Sequence, residues 1–248
     1  MKLTDKEIEL GFWNKYSREP KWLNSENPKV YSEKNLGLNL SETNKANDLK
    51  KWISILPNLA KTEYLWTYHK VNQETFDIIC RIPNLKGLNI KWSGIKKLDS
   101  LSGLSKLENL YIGSSSEITD ISPISKLPSL RTLETENFKS VKDFSVLSNM
   151  TYLTGLGLNG GMYSTLKLDT LKPIENLVNL EYLQLISTQI SDKSIEPLLN
   201  LKKLKSLRLA NKWSESDFEL LRQNLLNLKY GNVVPDKNAK RLLKIFGK

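Results

Sequence analysis

A phrase of six residues, Leu-x-x-Leu-x-Leu, returns along the middle of this chain at nearly fixed intervals. Leu180, Leu183 and Leu185 state it most clearly, within Val178-Asn179-Leu180-Glu181-Tyr182-Leu183-Gln184-Leu185. The same positions recur as Leu85/Leu88/Ile90, Leu107/Leu110/Ile112, Leu130/Leu133/Thr135, Leu153/Leu156/Leu158 and Leu204/Leu207/Leu209, with starts 22, 23, 23, 27 and 24 residues apart. The last two apolar residues of the phrase stand two apart, so on a strand they share one side. One such strand cannot bury that side by itself. Copies stacked in register share a continuous core and a continuous parallel sheet.

The second half of each repeat carries a different rhythm. Ile95, Leu98, Leu101 and Leu104 fall every third residue, as do Ile118, Ile121, Ile124 and Leu127, and later Leu168, Leu171, Ile174 and Leu177. A period of three predicts a 3₁₀-like return. Two returns, Val71 to Leu85 and Ile190 to Leu204, take 14 steps where the others take 12. Asn72-Gln73-Glu74-Thr75-Phe76 and Ser191-Asp192-Lys193-Ser194-Ile195 read as helix starts, so a true helix is expected in each. Asn159 to Lys167 adds residues after one strand, an insertion expected to form a surface loop at a binding edge.

Fixed-period repetition of this phrase resembles the leucine-rich repeat proteins. Ile118-Thr119-Asp120-Ile121-Ser122-Pro123-Ile124 resembles the short-repeat, internalin-like type, and the two longer returns resemble the ribonuclease-inhibitor style. The resemblance implies an α/β fold: a leucine-rich repeat solenoid with a curved parallel sheet on its concave face, 3₁₀ turns and short helices on its convex face, and a cap at each end. The expected organisation is an N-terminal cap over 1–35, the solenoid over 36–234, and a basic amphipathic capping helix over 235–248. Leu36-Gly37-Leu38-Asn39-Leu40 alternates as the first strand should. Asn47 to Leu56 reads as a helix stopped by Pro57. Glu215 to Asn224 reads as a helix, and Leu225/Leu228/Tyr230 as a last weak strand.

Little in the sequence supplies chemistry. The one histidine, His69, reads as a solvated edge residue. Cys80, the one cysteine, lies among apolar neighbours in Phe76-Asp77-Ile78-Ile79-Cys80-Arg81-Ile82 and reads as a small core residue. One Cys and one His do not make a zinc site. The expectation is a protein that is not an enzyme and has no catalytic residue, no cofactor and no metal. A charged start, Met1-Lys2-Leu3-Thr4-Asp5-Lys6, lacks an apolar signal core, and no stretch has the length of a membrane span. With a single thiol, these features lead us to expect a cytoplasmic protein.

The working surface follows from strand geometry. Residues flanking the core leucines point to the concave face, and parallel strands set equivalent positions about 5 Å apart. One row should therefore run Trp66, Asn89, Tyr111, Glu134, Gly157, Gln184, Arg208. The candidate partner-binding residues are Tyr64, Trp66, Tyr68, Lys91, Trp92 and Tyr111 at an aromatic, basic end. Glu134 and Glu136 follow in the middle, and Tyr182, Gln184 and Arg208 at the far end. Tyr, Trp and Arg dominate interface energetics. The function expected is a non-catalytic protein-binding scaffold: an adaptor, an inhibitor or a toxin-neutralising, immunity-type protein. Lys and Arg number 37 against 27 acids, a net +10 that favours an acidic protein partner. The alternative is a nucleic-acid-binding protein using basic and aromatic surface residues. It is disfavoured because Glu134 and Glu136 interrupt the track.

Overall fold

The computed structural model describes residues 21–24, 34–39, 52–210 and 213–234, with backbone alone at 21–24 and 39. The expected C-terminal capping helix lies outside the described residues, as does the expected N-terminal cap apart from its Lys21–Asn24 stretch and the residues from Lys34. Among the described residues there are eleven strands. They are β1 (Lys21–Asn24), β2 (Asn35–Asn39), β3 (Tyr64–Asn72), β4 (Gly87–Gly94), β5 (Asn109–Ile112), β6 (Thr132–Glu136), β7 (Gly155–Asn159), β8 (Leu166–Leu168), β9 (Tyr182–Leu185), β10 (Thr188–Ile190) and β11 (Ser206–Leu209). Nine of them form one sheet in the order β1-β2-β3-β4-β5-β6-β7-β9-β11, and β8 pairs with β10 in a second ladder. Every ladder is parallel. The sheet thus begins at β1, ahead of the Leu36 strand expected to open it.

Each strand buries the leucine that the repeat phrase assigns to it. Leu88, Leu110, Leu133, Leu156, Leu183 and Leu207 have essentially no exposure, and the return positions Leu101, Ile124, Leu147, Ile174 and Leu198 pack under them. The returns are 3₁₀ segments, among them Asp99–Gly103, Ser122–Lys126 and Ser145–Asn149. Their tight turn matches the three-residue spacing of their apolar side chains. The architecture is therefore an α/β leucine-rich repeat solenoid, with the core between the sheet on one side and the 3₁₀ returns on the other.

The two longer returns part company. The first holds α1 (Gln73–Ile79), where Asn72 accepts from the Thr75 amide at 2.8 Å as an N-cap. The second holds no α-helix, contrary to expectation, but a 3₁₀ segment at Glu196–Asn200. Pro197 sits in its first turn, and Asp192 and Ser194 spend their side chains on local turns to the amides of Ser194 and Glu196. Just ahead of this return, β10 pairs with β8 from the insertion after β7.

The C-terminal α2 (Glu215–Asn224) opens on a capping box, in which Ser214 accepts from the Asp217 amide and Asp217 from the Ser214 amide. Beyond it, Tyr230 forms a single bridge to Ser206 where a weak strand was expected. Of the expected helix before Pro57, residues 52–55 are helical and Leu56–Asn58 is 3₁₀, with Trp52 and Leu56 buried.

Removing one shared leucine leaves a hole between repeats. Leu110→Ala should lower unfolding stability by roughly 2–5 kcal/mol, read by urea denaturation. Asn72→Ala should cost about 1 kcal/mol in the same assay through loss of the α1 cap.

Candidate functional site: a groove on the open face of the sheet

The strand register sets Trp66, Asn89, Tyr111, Glu134, Gly157, Gln184 and Arg208 side by side. Along this face lies an open groove of about 520 Å³. Eight of the candidate residues line it: Trp66, Tyr68, Lys91, Trp92, Tyr111, Glu134, Glu136 and Gln184. The aromatic end is a wall. The rings of Trp66 and Tyr68 stack at 5.6 Å, and Trp92 meets Tyr68 edge-on at 6.3 Å. Trp92 remains 44% exposed, which is unusual for so large an apolar ring.

Three candidates stand elsewhere. Tyr64 is half-buried beside Gly87. Arg208 borders a neighbouring hollow with Ile186, Ser187 and Asn232. Tyr182 is 0% exposed, so it offers no surface. Its strand partners are Gly155 and Ser206. Its hydroxyl donates to Gln184 Oε1. The alternation of a strand states which side a residue faces, not how much its neighbours cover it.

The floor of the groove is polar and largely closed. Lys91 Nζ lies 2.7 Å from Glu136 Oε2 and donates to the Tyr111 hydroxyl at 3.1 Å. Tyr111 in turn donates to Glu136 at 2.5 Å. Burial, then the bond to Glu136, pushes the Tyr111 phenol far up, so it stays neutral. Gly113 leaves room for this trio: a Cβ there would stand 2.6 Å from the Lys91 carbonyl and 2.7 Å from the Tyr111 hydroxyl. Gly157 does the same for Glu134, whose Cγ would lie 2.7 Å from an added Cβ.

Glu134 is 3% exposed. Asn159 Nδ2 donates to its Oε1 at 2.9 Å, and its Oε2 has no hydrogen-bond partner. Burial, and secondarily the charge of Glu136, holds its carboxyl well above the usual range. Lys91, Asn159 and Arg208 oppose the shift. Asn159 is itself fixed, since its Oδ1 accepts from the Ile186 amide at 3.0 Å.

The insertion supplies what the candidate set lacked. Gly160, Gly161 and Met162 line the groove opposite the aromatic wall, together with Ile186. Met162 and Tyr163 are 83% and 95% exposed at the loop tip. The ten-step gap between Leu158 and Leu168 was the signal for this edge.

The chemistry-bearing residues lie apart from the groove floor. Cys80 is buried under α1, and burial raises its thiol far above the reactive range. His69 is buried, not solvated. β3 continues past Thr67, so alternation turns His69 to the core side, and burial lowers its pKa against a smaller raising effect of the Leu38 backbone. Among the described residues, no group of three or more His, Cys, Asp or Glu side chains is placed to hold a metal ion, and no helix is long and apolar enough to cross a membrane.

No protein-family model matches the sequence, and no curated protein matches it. Solved structures do. An internalin C2 of Listeria monocytogenes aligns with a TM-score of 0.53 at 21% identity, over 71% of this chain and 73% of its own. A leucine-rich repeat protein of Leptospira interrogans aligns with a TM-score of 0.51 at 19% identity, over 71% of this chain and 50% of its own. The likeness is one of fold, a leucine-rich repeat solenoid of internalin type.

Two outcomes test the site's physical description. Cys80 should stay unreactive to a thiol reagent in the native protein and react on unfolding. Glu134, with its folded pKa above the ordinary 4.5, contributes stability that is complete below that value and lost as pH rises toward the folded pKa. Glu134→Gln should therefore gain stability relative to wild type between pH 4.5 and pH 8, measured by urea denaturation at both ends.

Proposed function

We propose that this solenoid is a non-catalytic scaffold that grips another protein in the groove on the open face of its sheet. The observation that carries the reading is the groove itself. A preformed hollow of about 520 Å³ has exposed Trp92 and Tyr68 on one wall and Met162 and Ile186 on the other, none of which the repeats need for their own core. Large, rigid aromatic side chains are the residue types that anchor interfaces. A groove held by a continuous sheet also lowers the ordering cost of binding.

The leucine-rich repeat fold supports the same class. The role we assign is that of an adaptor, an inhibitor or an immunity-type protein that neutralises a toxin. The net charge of +10 favours a partner that is acidic overall, by raising the rate of encounter. The chain's one cysteine, buried and unpaired, suits work in a reducing compartment such as the cytoplasm.

Affinity capture from the native cell extract, with quantitative mass spectrometry, tests the reading when wild type is compared with Trp66→Ala and Trp92→Ala. Each substitution should weaken the partner's binding by about 2 kcal/mol while the circular dichroism spectrum is unchanged. A partner retained equally by all three proteins would place the working surface elsewhere.

A further inference from the structure

Of the two carboxylates on the groove floor, Glu136 is ion-paired and Glu134 is not. Glu136 is met by Lys91 at 2.7 Å and by the Tyr111 hydroxyl at 2.5 Å. Arg208 occupies the same row three strands away, and it and Lys91 act on Glu134 through their field, without an ion pair to it. Glu134 is 3% exposed and receives one hydrogen bond, from Asn159, and its second oxygen has none. A buried carboxylate held by one hydrogen bond and no ion pair is costly. On either side of it the groove turns apolar, toward Trp66 and Trp92 in one direction and toward Met162 and Ile186 in the other.

We propose, resting on the protein-binding reading above, that this groove receives a peptide segment bearing one lysine or arginine, its charged end set near Glu134 and its apolar neighbours laid against Trp66 and Trp92 on one side and Met162 and Ile186 on the other. Both basic side chains reach such a site on apolar stems, which suit a groove with greasy walls. The cation acts by proximity. An opposite charge within about 4–6 Å favours the ionised carboxylate, and low polarity at the floor strengthens the effect.

Overall charge does not contradict this. The field of a +10 molecule attracts a partner of negative net charge over distances that salt screens to about 8–10 Å. The floor acts inside that range, on a single side chain.

Proton release follows. The groups facing Glu134 are Tyr111 on β5, Lys91 on β4, Glu136 on β6, Tyr182 on β9 and Arg208 on β11. Both phenols are pushed up and stay neutral across the working range. Glu134 is the group that the arriving cation ionises, so affinity should rise as pH rises.

Selection from a phage library of random dodecapeptides on the immobilised full-length protein supplies the probes. They are then titrated against wild type, Glu134→Gln and Trp66→Ala. The expected peptides carry Lys or Arg between apolar residues. Exchanging that residue for norleucine or citrulline, or Glu134 for Gln, should each weaken binding about tenfold or more. Calorimetry in buffers of different ionisation enthalpy should show a proton released on wild type and none on Glu134→Gln. Peptides that need Trp66 but are indifferent to both exchanges would overturn this inference and leave the groove as the binding site. Peptides indifferent to Trp66 as well would overturn both. Should Glu134→Gln not fold, the norleucine and citrulline peptides decide alone on wild type.

Discussion

One backbone device holds the sheet in register. The carbonyl that precedes each strand accepts two amides from the next repeat. Lys86 O takes Glu108 N and Asn109 N at 2.8 and 3.0 Å, Glu108 O takes Arg131 N and Thr132 N at 2.7 and 3.1 Å, and Glu181 O takes Lys205 N and Ser206 N at 2.8 and 3.1 Å. The device runs from Lys34, which receives Glu63 and Tyr64, to Lys205, which receives Lys229 and Tyr230 beyond the last strand. A one-residue slip would move every leucine from the core to the open face. Core burial and this paired acceptance therefore enforce the same register, and each repeat is stable because its neighbour completes both.

Fixed register has a consequence for side chains the core does not choose. They meet the same strand neighbours permanently, so a large side chain that is to be buried there needs a small neighbour. Tyr182 lies between Gly155 and Ser206. Glu134 lies over Gly157, and the Lys91, Tyr111 and Glu136 trio closes over Gly113. The glycines are there for what their neighbours do, and the groove floor is packed as closely as a core while being built of polar groups.

This explains what the sequence made legible. Repeats, sheet direction, the row from Trp66 to Arg208 and the helix at Glu215–Asn224 all follow from local period, because period reports which side a residue faces. Exposure does not follow from period. Tyr182 and His69 differ from expectation because cover comes from other strands and from how far a strand continues. The helix expected after Ile190 is replaced by local turns of Asp192 and Ser194 and a 3₁₀ segment, and the pairing of β8 with β10 is a long-range contact that neither segment signals alone.

The distribution of unsatisfied polar groups carries the argument one step further. Buried polar atoms in native proteins are almost always paired. Among the described residues, Trp52 and His69 hold buried atoms without a hydrogen-bond partner on the core side, and Asn89 Oδ1, Asn109 Nδ2, Glu134 Oε2 and Ser206 Oγ are such atoms on the open-face side of β4, β5, β6 and β11. The repeat leucines could have been followed on that side by any small apolar residue at no cost to the solenoid. Polar residues held there under strain of solvation are the local violations of folding logic that proteins keep where function requires them. Asn89 and Glu134 line the groove itself, between an aromatic wall and an apolar loop, where an arriving chain would meet them.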